Sequence, residues 1–179
     1  MKDAERLKPS LSQLRAADLA HLEREALAHA PQLYRLAARL LGNAAEAEDV
    51  LQEAFAKAIS LLRIGAYRGE CALPTWLYRV VTNAALDRLR SAKRAQAAHQ
   101  RAENAATESA STSPEAAVAL RELVEALSEL PEDQRAALVL KEIHGLPARE
   151  VAQVLERSEG VIEQLLVRAR HTLRRRLES

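Results

Sequence analysis

The chain has 179 residues, of which 48% are hydrophobic, and 26 Lys and Arg against 25 Asp and Glu leave a net charge of +1. That length suits one or two small domains, and so even a balance does not by itself mark a nucleic-acid binder. A single cysteine, Cys71, excludes an internal disulfide and fits a reducing compartment. The five histidines (His21, His29, His99, His144 and His171) are scattered and none pairs with Cys71 in sequence, so no metal and no cofactor is expected. No leader pattern and no run of about eighteen apolar residues is present, which predicts a cytoplasmic chain without membrane insertion.

Charge is distributed less evenly than its sum suggests. From Arg79 to Arg101 there are six Lys or Arg against one Asp, and Arg168 to Arg176 holds five Arg and no acid. Local basic tracts of this kind are the footprint of a nucleic-acid surface, although a solvated helix face has the same look. Abundant Ala, Leu, Glu and Arg, few β-branched runs, and only 5 Gly and 6 Pro predict an all-α fold.

Residues 1–21 are weakly patterned, with an extra amphipathic helix available from Leu11 to Leu22. Leu22 to Leu41 reads as the first firm helix, with Leu27, Leu33, Leu36, Ala37 and Leu40 on its apolar side. Pro31 should kink this helix or mark its start, and Gly42-Asn43 should stop it. Ala45 to Leu62 is the second helix, placing Val50, Leu51, Ala54, Phe55, Ala58 and Leu62 inward and Glu48, Asp49, Gln52 and Glu53 outward. Acids on an exposed helix face without a His, Cys or metal partner do not make a catalytic pair, and no enzyme activity is expected.

The stretch from Ala66 to Arg94 is the most informative. Three of the chain's five aromatic residues, Tyr67, Trp76 and Tyr78, fall in it. After Pro74 a long helix is predicted, with Leu77, Val80, Val81, Ala84 and Leu89 on its apolar face. Arg79, Asn83, Asp87, Arg90 and Arg94 succeed one another at steps of four, four, three and four, which stacks them as one polar stripe. Asn and Arg beside aromatics are the chemistry that holds unstacked bases and their phosphates. A lone Trp at a helix start packs in a core more often than it stacks on a base, and Trp76 is expected there.

Residues 95–113 lack large apolar side chains and read as a flexible linker able to reach on the order of 60 Å. Ser113-Pro114-Glu115 is a helix start by cap, Pro and acid. Leu120, Leu123, Val124 and Leu127 pattern one helix to Leu130, and Pro131-Glu132 opens the next, running through Ile143 to Gly145. Pro147 to Leu155 and Ser158 to Leu177 then form a helix-turn-helix pattern, with Ala152 as the small residue that allows close approach.

The segment "YRGECALPTWLYRVVTNAALDRLRSAKR" resembles the promoter-melting segment of the extracytoplasmic-function group of the sigma-70 family. "LYRLAARLLGNAAEAEDVLQEAF" upstream and "LSELPEDQRAALVLKEIHGLPAREVAQVL" downstream extend the likeness in the family's order. The resemblance implies two small helical domains: residues 22–94 as a region 2-like domain and 114–179 as a region 4-like helix-turn-helix domain. It also implies a role as an initiation factor that lends promoter specificity to RNA polymerase. Asp49, Gln52 and Glu53 would meet the clamp helices of the largest polymerase subunit. Tyr67, Arg79, Asn83, Asp87, Arg90, Lys93 and Arg94 would form the −10 surface, Asp87 either on DNA or paired with a neighbouring Arg. Ser158, Gln164, Arg168 and Arg170 would form the −35 surface. An anti-sigma partner, a flap contact for the C-terminal domain and a monomeric free state are implied as well.

The recognition helix departs from that pattern. Family members typically read Thr-Val-Lys-Ser-Arg-Leu where this chain has Val161-Ile162-Glu163-Gln164-Leu165-Leu166. The core positions Ile162, Leu166, Ala169 and Leu173 are kept, but two cations are lost and an acid is gained where a recognition helix meets DNA. Either Gln164 and Arg168 read an unusual −35 element, or Val161 and Leu165 form a protein-docking patch. The second possibility leaves open a sigma-like adaptor or antagonist that has lost −35 reading. A helix-turn-helix regulator is a further alternative, and it would be a dimer.

Overall fold

The computed structural model describes residues 16–99, Glu122 and residues 125–177, and among these every regular element is helical. The expectations for residues 1–15, for the linker from 100 onward and for the Ser113-Pro114-Glu115 helix start lie outside the described residues. α1 (Ala16–Ala28) and α2 (Ala30–Leu41) stand where one helix from Leu22 to Leu41 is expected from the sequence. Pro31 is the reason. A proline inside a helix has no N–H to give and crowds the preceding turn, so the chain breaks at His29 and Pro31 enters the first turn of α2. With the helix broken, Leu27 turns outward and is 55% exposed, whereas Leu33, Leu36, Ala37 and Leu40 are buried as expected.

Gly42 closes α2 in the left-handed region (φ 73°), its N–H reaching the Ala38 carbonyl at 2.9 Å. Asn43 then opens α3 (Ala44–Arg63), its Oδ1 accepting from the N–H groups of Ala45 at 2.9 Å and Glu46 at 3.2 Å. Val50, Ala54, Ala58 and Leu62 line the buried side of α3, and the alanines let α2 and α4 lie close against it. α4 (Leu73–His99) carries Leu77, Val81 and Ala85 into the same core. It runs five residues past Arg94, so the first part of the expected linker is helical.

The second domain is built from a helical stretch at 125–128, α5 (Glu132–Leu138), α6 (Ala148–Leu155) and α7 (Glu159–Leu177). Where the sequence predicts one helix through Ile143, α5 gives way to a π-helical turn over Val139–Ile143. Such a turn holds one residue more than an α turn and rotates the residues beyond it to a new phase. The His144 N–H closes it on the Val139 carbonyl at 3.0 Å, and Gly145 exits at φ 70°. The core here is Ala136, Val139, Leu140, Val151, Val154, Ile162, Leu166 and Ala169, with Ala152 buried where α6 meets its neighbours.

The two domains pack on one another, chiefly α4 against α6, with α2 touching the π-helical turn. Arg135 ties them. Its guanidinium is buried and donates to the Leu40 carbonyl at 2.6 Å and to the Ser128 carbonyl at 2.7 Å. Leu40 lies in the last turn of α2, where the helix dipole is negative and a cation is favoured. Across the same junction the Tyr78 hydroxyl and His144 Nδ1 share a hydrogen bond at 3.2 Å, and the rings meet edge to face at 5.5 Å. Burial, reinforced by Arg39 and Arg35, pulls the His144 pKa down to about 4.

Both contacts of the junction can be tested by unfolding. Replacing Arg135 by Met leaves the buried Leu40 carbonyl and the part-buried Ser128 carbonyl without this donor and should cost about 2 kcal/mol in urea unfolding, while Lys, which cannot fork to both carbonyls, should recover only part. His144 keeps its proton only near pH 4 in the fold, against an ordinary value of 6.5. The unfolded chain therefore binds that proton first as pH falls, and the contribution of His144 is complete above 6.5 and declines toward about 4. Urea midpoints measured between about pH 7 and about pH 5 should fall less steeply for His144→Gln than for the parent chain.

Candidate nucleic-acid interface

The loop between α3 and α4 is held by its own aromatics. The Tyr67 hydroxyl donates to the Cys71 carbonyl at 2.8 Å, and the Tyr67 ring lies 5.3 Å from that of Trp76, tilted by 50°. Trp76 is only 4% exposed and belongs to the core, as expected from the sequence, and Tyr67 is half-buried. Burial pushes the Tyr67 hydroxyl up, and Cys71 and Glu25 act in the same direction. Burial likewise raises the Cys71 thiol against the opposing pull of Arg79, so it is held as a thiol rather than a thiolate.

On α4, Asn83, Asp87, Arg90, Lys93 and Arg94 are exposed along one side and Arg79 is half-buried at its start. The stripe read from the spacing therefore exists as a surface. It is not bare. Asp87 pairs with Arg90 at 3.3 Å. Arg90 also reaches Glu132 at 3.5 Å and Asp133 at 3.6 Å, Lys93 reaches Glu132 at 3.9 Å, and Arg79 reaches Glu156 at 3.5 Å. Arg94 donates to the Arg90 carbonyl at 3.2 Å and to Ser91 Oγ at 3.3 Å.

Asp49, Gln52 and Glu53 are exposed on the outer face of α3, well separated in the chain from the α4 stripe but not isolated from α4. Arg88 meets Glu53 at 3.2 Å and so joins the two candidate surfaces. The spacing argument misses Arg88 because it sits one position off the stripe; its place on the α3-facing side of α4 is the signal that could have found it.

In the second domain, the turn between α6 and α7 is made by Glu156 in the left-handed region (φ 53°), with its N–H and that of Arg157 returning to the Ala152 carbonyl. Ser158 starts α7, its carbonyl accepting from Val161 at 3.0 Å and Ile162 at 3.1 Å while its hydroxyl lies 3.4 Å from the Val161 N–H. Ile162, Leu166 and Ala169 are buried, and Leu173 is partly buried. Glu163, Gln164, Arg168 and Arg170 are exposed, with Arg170 paired to Glu142 and Arg176 to Glu129. Of the unusual apolar residues, Val161 is 39% exposed, but Leu165 is half-buried against the core. Val167, which the family comparison of the recognition helix does not single out, is 64% exposed.

Two sequence families match in the order that this architecture requires. Sigma-70 region 2 matches residues 26–95, and sigma-70 region 4 matches residues 120–173. The chain is 36% identical over 155 residues to the RNA polymerase sigma-H factor of Pseudomonas aeruginosa, covering 80% of this chain and 79% of that protein. It is 34% identical over 159 residues to the ECF RNA polymerase sigma factor SigW of Bacillus subtilis, covering 82% of this chain and 83% of that one. This chain belongs to the extracytoplasmic-function sigma factors. The sigma factor RpoE of Bartonella quintana, solved with the anti-sigma factor NepR, superposes on it with a TM-score of 0.72 at 25% identity, covering 88% of this chain and 97% of that one. CnrH, solved with the cytosolic domain of CnrY, shares the fold with a TM-score of 0.65 at 22% identity, over 94% of this chain and 92% of that one. No described helix of this sigma factor is long and apolar enough to cross a membrane.

Proposed function

We propose that this sigma factor directs transcription initiation by binding core RNA polymerase through α3, the −10 element through α4 and the −35 element through α7, without catalysing a reaction itself. The observation that carries the reading is the succession of region 2 and region 4 in one chain, with an exposed stripe of Asn83, Arg90, Lys93 and Arg94 on the region 2 helix. Asp49, Gln52 and Glu53 present an acidic face suited to a basic groove on the clamp helices of the polymerase. Asn83 supplies a donor and an acceptor to an unstacked base, and the cations beyond it supply phosphate contacts. Tyr67 shapes the loop in front of them through its hydroxyl rather than by standing free as a stacking platform. Asp87, paired to Arg90, aims that guanidinium.

At α7 the reading is a −35 contact made by Gln164 and Arg168, with Ser158 and Arg170 at its margins and the flap of the polymerase as a second contact of the domain. Glu163 opposes it by facing outward where phosphates would lie. An anti-sigma partner is part of the proposal, supported by the Bartonella quintana relative having been solved with one. The free protein is read as a monomer and its place as the cytoplasm.

The deciding experiment is transcription in vitro from fragmented genomic DNA with core polymerase and this protein, mapping transcript 5′ ends. Protein-dependent starts that share −10 and −35 motifs are expected. Starts sharing only a −10 motif would remove the −35 assignment, and binding to core without any starts would favour the adaptor reading. Reversing Asp49 and Glu53 to Lys should weaken core binding by about tenfold or more. Glu163→Lys should tighten binding to duplex promoter DNA and steepen its dependence on log salt by about one.

A further inference from the structure

Gly160, Val161, Gln164 and Arg168 follow one another along α7 at steps of one, three and four, which places them on the side turned away from the buried Ile162, Leu166 and Ala169. All four are exposed, Val161 at the margin of that side with 39% of its surface open. Among the described residues the Gln164 amide has no hydrogen-bond partner, so its donor and its acceptor are both free to meet a ligand. Ser158 to Val167 contains two acids, Glu159 and Glu163, and no Lys or Arg. Attraction to phosphate is therefore weak over the first turns of the helix, and a duplex seated here is selected through its base edges. Gly160 adds an observation of a different kind. Its φ is not positive, and a Cβ built on it would meet nothing within 4 Å. A helical Gly costs stability relative to Ala, so neither backbone conformation nor packing within the chain explains its place. A bare backbone at this point lets an outside surface come close to the helix.

We propose that this side of α7 selects adjacent A·T pairs in the −35 element: Gln164 bonds the N6 amino group and N7 of an adenine, Val161 packs on the C5 methyl of a thymine in the neighbouring pair, and Gly160 admits the duplex to the helix backbone. The inference rests on the reading of α7 as the −35 helix and adds the bases that it selects. In the major groove adenine shows an acceptor beside a donor, which matches a carboxamide group for group. Guanine shows two acceptors there, and the amide carbonyl would face one of them without a proton between. Thymine alone carries a methyl, and the isopropyl group of Val161 meets it without leaving a polar atom unpaired. Val161 and Gln164 lie about 4.5 Å apart along the helix axis, close to the rise of about 3.4 Å between stacked base pairs. They therefore meet neighbouring pairs rather than the same one. Arg168, one turn beyond Gln164, is left for a phosphate or a guanine.

The test uses the full chain assembled with core polymerase and a duplex library that keeps the −10 region of one mapped start and randomises the −35 region. Sequencing the retained duplexes should show adjacent A·T pairs for the parent chain. Gln164→Ala should lose the preference at one pair and Val161→Ser at the other, with the remaining positions unchanged; both sites are exposed, and circular dichroism checks that the helices are kept. On the selected duplex, 7-deazaadenine in place of the adenine should weaken parent binding about fivefold or more, and uracil in place of the thymine about twofold or more. Each analogue should leave the variant that lacks the matching side chain unaffected. Gly160→Ala should raise the urea midpoint of the free chain and yet weaken binding of the holoenzyme to the selected duplex. A −35 motif without adjacent A·T pairs would overturn this inference and leave the −35 reading standing, and indifference to either analogue would overturn the contact that it removes. Enrichment of no sequence in the randomised region would overturn both readings. A Gly160→Ala chain that is stabilised and binds as the parent does would overturn the close approach.

Discussion

Among the described residues, Arg135 is the single charged side chain in the buried set, and the packing of the two domains depends on how its charge is accommodated. A guanidinium taken out of water is costly unless its donors are filled. Burial lowers its pKa, but a guanidinium remains charged at neutral pH. The two bonds that hold it go to carbonyls rather than to a carboxylate, one of them in the negative last turn of α2. That partner belongs to the other domain. The N-terminal domain therefore helps to solvate a charge that the C-terminal domain carries, and the junction is specific in orientation because a planar fork with two short bonds fixes the approach.

α4 is the element around which the rest is distributed. One side enters the core with α2 and α3, another takes Glu53 through Arg88, and a third carries Arg79, Asn83, Arg90 and Lys93. At 27 residues it is about 40 Å long, enough to serve both domains from one rigid body. Its cations meet acids of both α5 and the α6–α7 turn. A surface that must be cationic for phosphate is also one that any well-placed acid can fill, and this chain places three acids there.

The recognition helix carries the same duality. Its buried residues Ile162, Leu166 and Ala169 hold α7 in the fold, whereas the apolar substitutions on its other sides differ in kind. Leu165 packs at the junction, and Val161 remains open to solvent. Only Leu165 therefore has a packing explanation for its departure from the family pattern. Glu163 is exposed, so it bears on the surface charge of α7 rather than on its packing.

The order of the main helices, the helix-turn-helix and the polar stripe are legible in the amino-acid sequence, because each is a local pattern: apolar spacing, a Gly-Asn stop, polar residues three and four apart. Trp76 is legible as a core residue from its position at a helix start. Whether Pro31 kinks or begins a helix is not, and the structure shows a break at His29 with Leu27 turned outward. The π-helical turn has no local signature either, since Val139 to Ile143 has ordinary helical composition. The roles of Arg135 and His144 depend on partners far away in the chain: Leu40 lies 95 residues from Arg135 and Tyr78 lies 66 from His144. Periodicity shows which side of a helix is apolar or charged, but not which other element meets that side. Tertiary packing alone decided that, and it set Glu132, Asp133 and Glu156 against the cations of α4.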